Sequence, residues 1–215
     1  MVGAAGLSRS IIRKVSGIGA GTTTGNDAPD LWRKRAIDAG IGSFEVEDFN
    51  SPEGIAAIAA VGADLGVVAG TYILKRPAFS VPRLGCINLH SGKVPDYRGA
   101  APAFWELYNG ETHVGITIHK VEERLDAGNI ITSDQFQLDW MPGLDPVQFI
   151  EDYRARILRP NGVRLMADAV TAIVQGKCEG QAVVLNGTKA YRTPTFKDIC
   201  ELRRRVKERA ERIDT

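Results

Sequence analysis

Two short apolar runs, LGVVAG at 65–70 and GCINLH at 85–90, constrain the fold of this 215-residue chain more than any other feature. Neither shows the apolar–polar alternation of a half-solvated strand, and each carries glycine at a boundary. Such runs fit strands buried on both faces, as in parallel sheets covered by helices. The neighbouring segments carry helix punctuation. Ser51 and Pro52 read as the N-cap and first-turn proline of a helix reaching about Val61. A helix over 29–39 puts Leu31, Trp32, Ala36 and Ile37 near one face and stops at Gly40. SFEVEDF, 43–49, alternates like a strand. Alternating strands and helices predict an α/β class, an open and mostly parallel twisted sheet flanked by helices.

Further along, a helix is expected over about 101–109. VGITIHKVEE and NIITSDQFQL then read as two strands joined by a turn at Asp126-Ala127-Gly128. Asp145-Pro146 opens another helix. Pro160-Asn161-Gly162 predicts a break or kink in it before it ends at Gly176. Thr195 and Asp198 form a capping box for a last helix. The expected organisation is a catalytic domain over 1–187 and a C-terminal helical extension over 188–215.

The formal net charge of +1 provides no global field for nucleic acid or anionic membrane. Three cysteines without C-x-x-C spacing argue against a disulfide scaffold and a zinc site. Histidines at 90, 113 and 119 match no metal-ligand pattern, so no metal is expected. No apolar run approaches the ~20 residues of a membrane helix. The first residues lack the pattern of a signal peptide, and a cytoplasmic protein is expected. Gly17-x-Gly19-x-Gly21 reads as a loop, because no buried strand precedes it as a phosphate-binding loop requires.

In an open α/β sheet, ligands sit beyond the carboxyl ends of strands, where His90 lies. Strand alternation puts Asn88 on the same side, about 7 Å away. An asparagine amide can donate to an oxyanion forming on a carbonyl, and an imidazole can move a proton near neutral pH. A carboxylate can orient that imidazole, and Asp126 in its turn is the natural candidate. A lone strand-end histidine is more often a hydrogen-bonded structural residue than a catalyst, and no local spacing brings Asp126 close. His119 reads as packing and His113 as a turn residue.

The stretch INLHSGKVPDYRGAAPAFWELYNGETHVGITIHKVEERLDAGNII resembles the core of the folate-dependent formyltransferases, strongly over about 85–138 and more weakly over 28–84. Three elements carry the resemblance: the N-x-H strand end, the Pro-x-Tyr-Arg-Gly loop, and the Gly-x-Thr-Ile…Leu-Asp-x-Gly turn. It implies a Rossmann-like fold, catalytic Asn88, His90 and Asp126, and N10-formyltetrahydrofolate as co-substrate. It implies a folate pocket involving Leu74, Lys75, Ile87, Val121, Glu122 and Glu123. The acceptor side is expected to involve Ser91, Lys93, Tyr97 and Arg98, with Trp105 expected to pack. The loop Ser91-Gly92-Lys93-Val94-Pro95 departs from the family's usual Ser-Leu-Leu-Pro, and MVGAAGLSRSIIRKV supplies at most a stub of its first strand.

The implied reaction is formyl transfer to a primary amine, foremost of a nucleotide-linked amino sugar. The alternatives are a methionyl-tRNA formyltransferase-like enzyme without its tRNA-gripping C-terminal domain, glycinamide ribonucleotide as acceptor, a formyltetrahydrofolate hydrolase, and a non-catalytic folate-binding relic. The basic run LRRRVKERAER reads as a docked amphipathic helix rather than an RNA patch. The resemblance also implies a homodimer paired through the C-terminal part.

Overall fold

The computed structural model describes residues 10–13, 34–178, 180–185 and 187–213. The Gly17–Gly21 loop and the first part of the 29–39 helix lie outside them; residues 34–38 are helical and turn at Gly40. Two compact units divide the chain, Met1–Cys86 and Ile87–Thr215.

In the first unit, β1 (Ser10–Arg13) pairs in parallel with β2 (Gly42–Glu45). The stub expected near the start of the chain is therefore a strand. Helix α1 (Pro52–Val61) begins at Ser51, whose Oγ accepts the Gly54 N–H at 3.0 Å, and ends at left-handed Gly62. Strand β3 (Gly66–Ala69) runs beside Gly85–Cys86, with the Gly66 N–H donating to Gly85 O at 3.0 Å. A Cβ at Gly66 would lie 2.3 Å from Cys86 Sγ, so only glycine permits this approach. The same burial pushes the Cys86 thiol up to about 11, leaving it un-ionised at neutral pH. A short helix, α2 (Arg76–Phe79), follows.

The second unit holds β4 (Cys86–His90, all but its first residue), α3 (Phe104–Asn109), β5 (His113–Lys120) and β6 (Ile130–Gln137). Helices α4 (Pro146–Tyr153), α5 (Arg159–Val174) and α6 (Phe196–Ile213) complete it. Here β4 pairs antiparallel with β5, and β5 with β6. With the parallel β1–β2 pair, the strands are mixed in direction and flanked by helices, an α/β arrangement as expected. The Asp126–Gly128 turn is the reason for one antiparallel ladder: a short connection can return a strand only beside its predecessor.

Register divides the β4–β5 pair into two chemical faces. Asn88 pairs with His119 and His90 with Thr117, so these four polar side chains share one face. Ile87, Leu89, Ile116 and Ile118 take the other, and Ile87, Ile116 and Ile118 are at most 1% exposed.

The Pro160 region differs from the expected kink. The helix widens earlier, into a π-helical turn over Arg154–Leu158, and then runs unbroken through Pro160 to Val174. A proline lacks the N–H that an interior turn needs, and the wider turn lets the chain pass it. Asn161 Nδ2 donates to the Ile157 carbonyl at 2.9 Å. Gly162 marks a close approach instead of a break, for a Cβ there would lie 2.9 Å from Leu89 Cδ1. Gly162→Val is expected to force α5 off β4 and cost about 1–3 kcal/mol by urea unfolding.

Helix α6 buries Leu202 and Val206. Its Arg209 donates to the Leu107 and Tyr108 carbonyls, both at 2.6 Å, satisfying the C-terminal end of α3. The Arg205 guanidinium lies 4.1 Å from the Tyr108 ring centroid. Arg203 pairs with Asp145, Arg204 with Glu201 and Glu208, and Arg205 with Glu201. Among the described residues, no helix is long and apolar enough to cross a membrane.

Candidate active site

Asn88, His90 and Asp126 meet at the carboxyl end of β4. His90 is 8% exposed, and its Nε2 lies 2.6 Å from the Tyr97 carbonyl. A carbonyl only accepts, so that nitrogen carries the proton. Nδ1 then faces Asp126 Oδ2 at 3.5 Å. Burial holds the His90 pKa below the ordinary histidine value, against the opposing pulls of Asp126 and the Tyr97 carbonyl. His90 is therefore neutral at pH 7, with a basic Nδ1.

Asp126 has a left-handed φ of 46°, unusual for a residue with a side chain, and is 8% exposed. Its Oδ2 accepts the Gly99 N–H at 2.8 Å and its Oδ1 lies 3.4 Å from His119 Nε2. Burial raises its pKa, but His119, His90 and the Gly99 N–H together bring it below the ordinary carboxylate value. The group is an anion that accepts the Gly99 N–H and has one ring nitrogen of each histidine close by.

His119, expected to pack, instead belongs to this cluster. Its Nδ1 lies 2.8 Å from the Lys120 carbonyl and so carries a proton. In that tautomer Nε2 accepts from Asn88 Nδ2, 3.2 Å away. This fixes the Asn88 amide with its NH2 toward the cluster. One of its two hydrogens is spent on His119 and the other remains available. The signal that could have found His119 is the register of β4 against β5, which no local pattern reveals.

The loop after β4 is pinned from below. Thr117 Oγ1 donates to the Gly92 carbonyl at 2.7 Å and accepts the Val94 N–H at 3.3 Å. A Cβ at Gly92 would sit 2.4 Å from His90 Nε2, which explains a glycine in this loop. Lys93 is exposed. Tyr97 stacks on Tyr191, centroids 5.3 Å apart, and its hydroxyl donates to Glu111. Arg98 is buried, and its guanidinium donates to the Leu125 and Thr188 carbonyls at 2.9 and 2.6 Å. It braces the Asp126 turn instead of offering both Nη groups to a phosphate.

Ile87 pairs with Lys120. Val121, Glu122 and Glu123 lie just past the β5 ladder, with the two glutamates exposed. Leu74 and Lys75 belong to the first unit, where the Lys75 N–H donates to Asn50 Oδ1 at 2.7 Å. Residues of the C-terminal segment missed at the sequence level also build the site. Tyr191 bridges Gly99 in parallel, and the Trp105 indole donates to the Arg192 carbonyl.

Solved structures share this fold. A formyltransferase from Anoxybacillus kamchatkensis, solved with UDP-4,6-dideoxy-4-formamido-L-AltNAc and tetrahydrofolate, is similar with a TM-score of 0.57 at 18% identity, covering 85% of each chain. A likely sugar N-formyltransferase from Mycobacterium tuberculosis is similar with a TM-score of 0.58 at 16% identity, over 91% of this chain and 86% of that one. Residues 23–158 match the formyl transferase family model, and the chain belongs to that folate-dependent family. A methionyl-tRNA formyltransferase from Bacteroides fragilis is 29% identical over 173 residues, 79% of this chain and 51% of the relative. Another, from Sorangium cellulosum, is 38% identical over 97 residues, 45% of this chain and 31% of the relative. The chain spans about half the length of the curated relatives it matches, or less.

Proposed function

We propose that this protein transfers the formyl group of N10-formyltetrahydrofolate to the primary amine of a nucleotide-linked amino sugar. The observation that carries the reading is the convergence of Asn88, His90 and Asp126 on one buried spot. The folate supplies a formyl carbon open to attack by nitrogen. The second Asn88 Nδ2 hydrogen is aimed to hold the formyl oxygen as negative charge grows on it. His90, neutral with Nδ1 unprotonated, takes the proton released by the attacking amine. Asp126 stabilises the imidazolium so formed, and the same nitrogen can return the proton to the departing folate nitrogen. For the pterin edge, the backbone groups of Val121–Glu123 past the β5 ladder are the amide donors and carbonyl acceptors that such a ring would pair with.

A small acceptor is supported by the pairing of the α6 arginines within the chain and by the sugar-formylating proteins that share the fold. The names of the sequence relatives favour a second reading, methionyl-tRNA as acceptor. Incubating the protein and N10-formyltetrahydrofolate with a panel of amino-sugar nucleotides, and separately with methionyl-tRNA, decides between them by mass. One formyl group added to a sugar nucleotide is expected. Exclusive modification of the tRNA would replace the proposal, and folate deformylation without any acceptor would replace both. With an active acceptor, Asn88→Ala is expected to lose about 3 kcal/mol of transition-state stabilisation, read in kcat.

A further inference from the structure

Neutral His90 has one ring proton, and two acceptors compete for it. The Tyr97 carbonyl stands 2.6 Å from Nε2, and Asp126 Oδ2 stands 3.5 Å from Nδ1. Charge alone would favour the carboxylate, which would draw the proton to Nδ1 and leave no lone pair there. The shorter contact keeps the proton on Nε2. That outcome depends on where Tyr97 places its own carbonyl, in a loop whose Lys93 is exposed. The Tyr97 N–H closes a turn on the Lys93 carbonyl at 2.7 Å. Its hydroxyl donates to Glu111 Oε1 at 2.9 Å and accepts from Asn109 Nδ2 at 3.2 Å, and that amide also reaches the Tyr191 hydroxyl at 3.0 Å. The Tyr97 ring lies within 8° of parallel to Tyr191. Tyr191 stacks in turn on buried Trp105, with centroids 5.2 Å apart. Gly92 completes the fit, for a Cβ there would meet both the Tyr97 oxygen and His90 Nε2.

We propose that Tyr97 is a positioning residue: its clamped ring holds its carbonyl on His90 Nε2 and so keeps Nδ1 open for the amine's proton. The clamp is built from Asn109, Glu111 and Tyr191, and acts on His90 through Tyr97. It deepens the formyl-transfer reading and rests on it for the role of Nδ1. Burial and the Glu111 carboxylate push the Tyr97 phenol above its ordinary pKa, against the pull of Asn109, so the hydroxyl remains a donor at neutral pH. Asp126, His119 and Arg98 are the charged or titratable groups acting on His90, and the Tyr97 carbonyl joins Asp126 in raising its pKa. Releasing that carbonyl therefore lowers the His90 pKa as well as moving its proton.

The test reads the imidazoles directly, in the full chain without ligand, by long-range proton–nitrogen NMR at about pH 8, above the ordinary histidine pKa. The chain has three histidines, and His90→Gln and His113→Gln assign them. His90 is expected as the Nε2–H tautomer and His119 as Nδ1–H. Tyr97→Leu removes ring and hydroxyl, and is expected to shift His90 mainly to Nδ1–H while His119 stays unchanged. Tyr191→Leu leaves Tyr97 whole and is expected to produce the same shift in part. Tyr97→Phe keeps the stack and is expected to restore most of the Nε2–H form. With the acceptor that the panel identifies, kcat should fall with the Nε2–H fraction, about 10-fold where that fraction drops to about one-tenth. The rising limb of kcat/KM should move to lower pH. Should Tyr97→Leu not fold, Tyr191→Leu carries the same reading. Wild-type His90 protonated on Nδ1, or folded Tyr97→Leu and Tyr191→Leu that both keep Nε2–H, would overturn the proposal. Lost turnover with an unmoved tautomer would overturn it too, marking Tyr97 as an acceptor contact. A tautomer shift with unchanged kcat would uphold the clamp and remove Nδ1 as the proton's destination.

Discussion

Asp126→Asn is expected to lower kcat for formyl transfer by roughly 10²- to 10⁴-fold, the range spanned by positioned acid–base groups. The substitution keeps the size of the side chain and a carbonyl oxygen for the Gly99 N–H. It removes the negative charge that faces His90 Nδ1 at 3.5 Å and His119 Nε2 at 3.4 Å. An imidazolium formed on His90 would then stand in a buried site with no counter-charge. The pH profile gives a second readout. Activity requires neutral His90, so kcat/KM rises with pH through the His90 pKa, which burial already holds below the ordinary value. Asp126 opposes that depression, so its neutralisation moves the rising limb to lower pH. Stability should respond too. A carboxyl held below its ordinary pKa contributes stability above about pH 4, lost as pH falls through its folded-state pKa. The wild type's advantage in unfolding free energy should therefore shrink in acid. A variant with wild-type kcat and an unmoved limb would remove Asp126 from the mechanism.

Gly99→Ala is expected to be the most damaging small substitution. Gly99 holds φ at 95°, where a side chain is strained at about 1–2 kcal/mol. The added Cβ would also lie 2.2 Å from the Tyr191 carbonyl oxygen, a backbone atom that cannot rotate away. Relief requires parting the Gly99–Tyr191 bridge, including the Tyr191 N–H bond to Arg98 O and the Ala100 N–H bond to Tyr191 O. It also displaces the N–H that anchors Asp126. Together these predict a loss on the order of 2–4 kcal/mol in urea unfolding, with activity falling about 10²-fold in whatever folds. Wild-type stability together with wild-type activity would show that the bridge is dispensable.

How much of this was written locally is clear from particular residues. Asn88 and His90 were legible as neighbours because strand alternation puts them on one side, whereas Asp126 was joined to them by the resemblance to the formyltransferases, since no local spacing links that turn to His90. Ser51, Asp145 and Thr195 announced their helices through caps that act within three residues, and all three form them. His119 was not legible, because its face depends on which residue of β4 it opposes. Glu106 carried no signal of its own in the sequence, and only tertiary packing buries it. The Pro160 kink was misplaced because the chain spreads the cost of a proline over the turn before it. Tyr191 joins residues some ninety positions away, a distance over which no periodicity speaks.

The Tyr191 bridge also bears on when this molecule becomes competent. A ribosome that has delivered the chain only through Gly187 has already made the histidines and the carboxylate between them, yet not the segment that bridges to Gly99 and holds their loop in place. Nascent protein should thus carry the reacting groups before it can use them, and activity should appear abruptly as the segment around Tyr191 clears the exit tunnel.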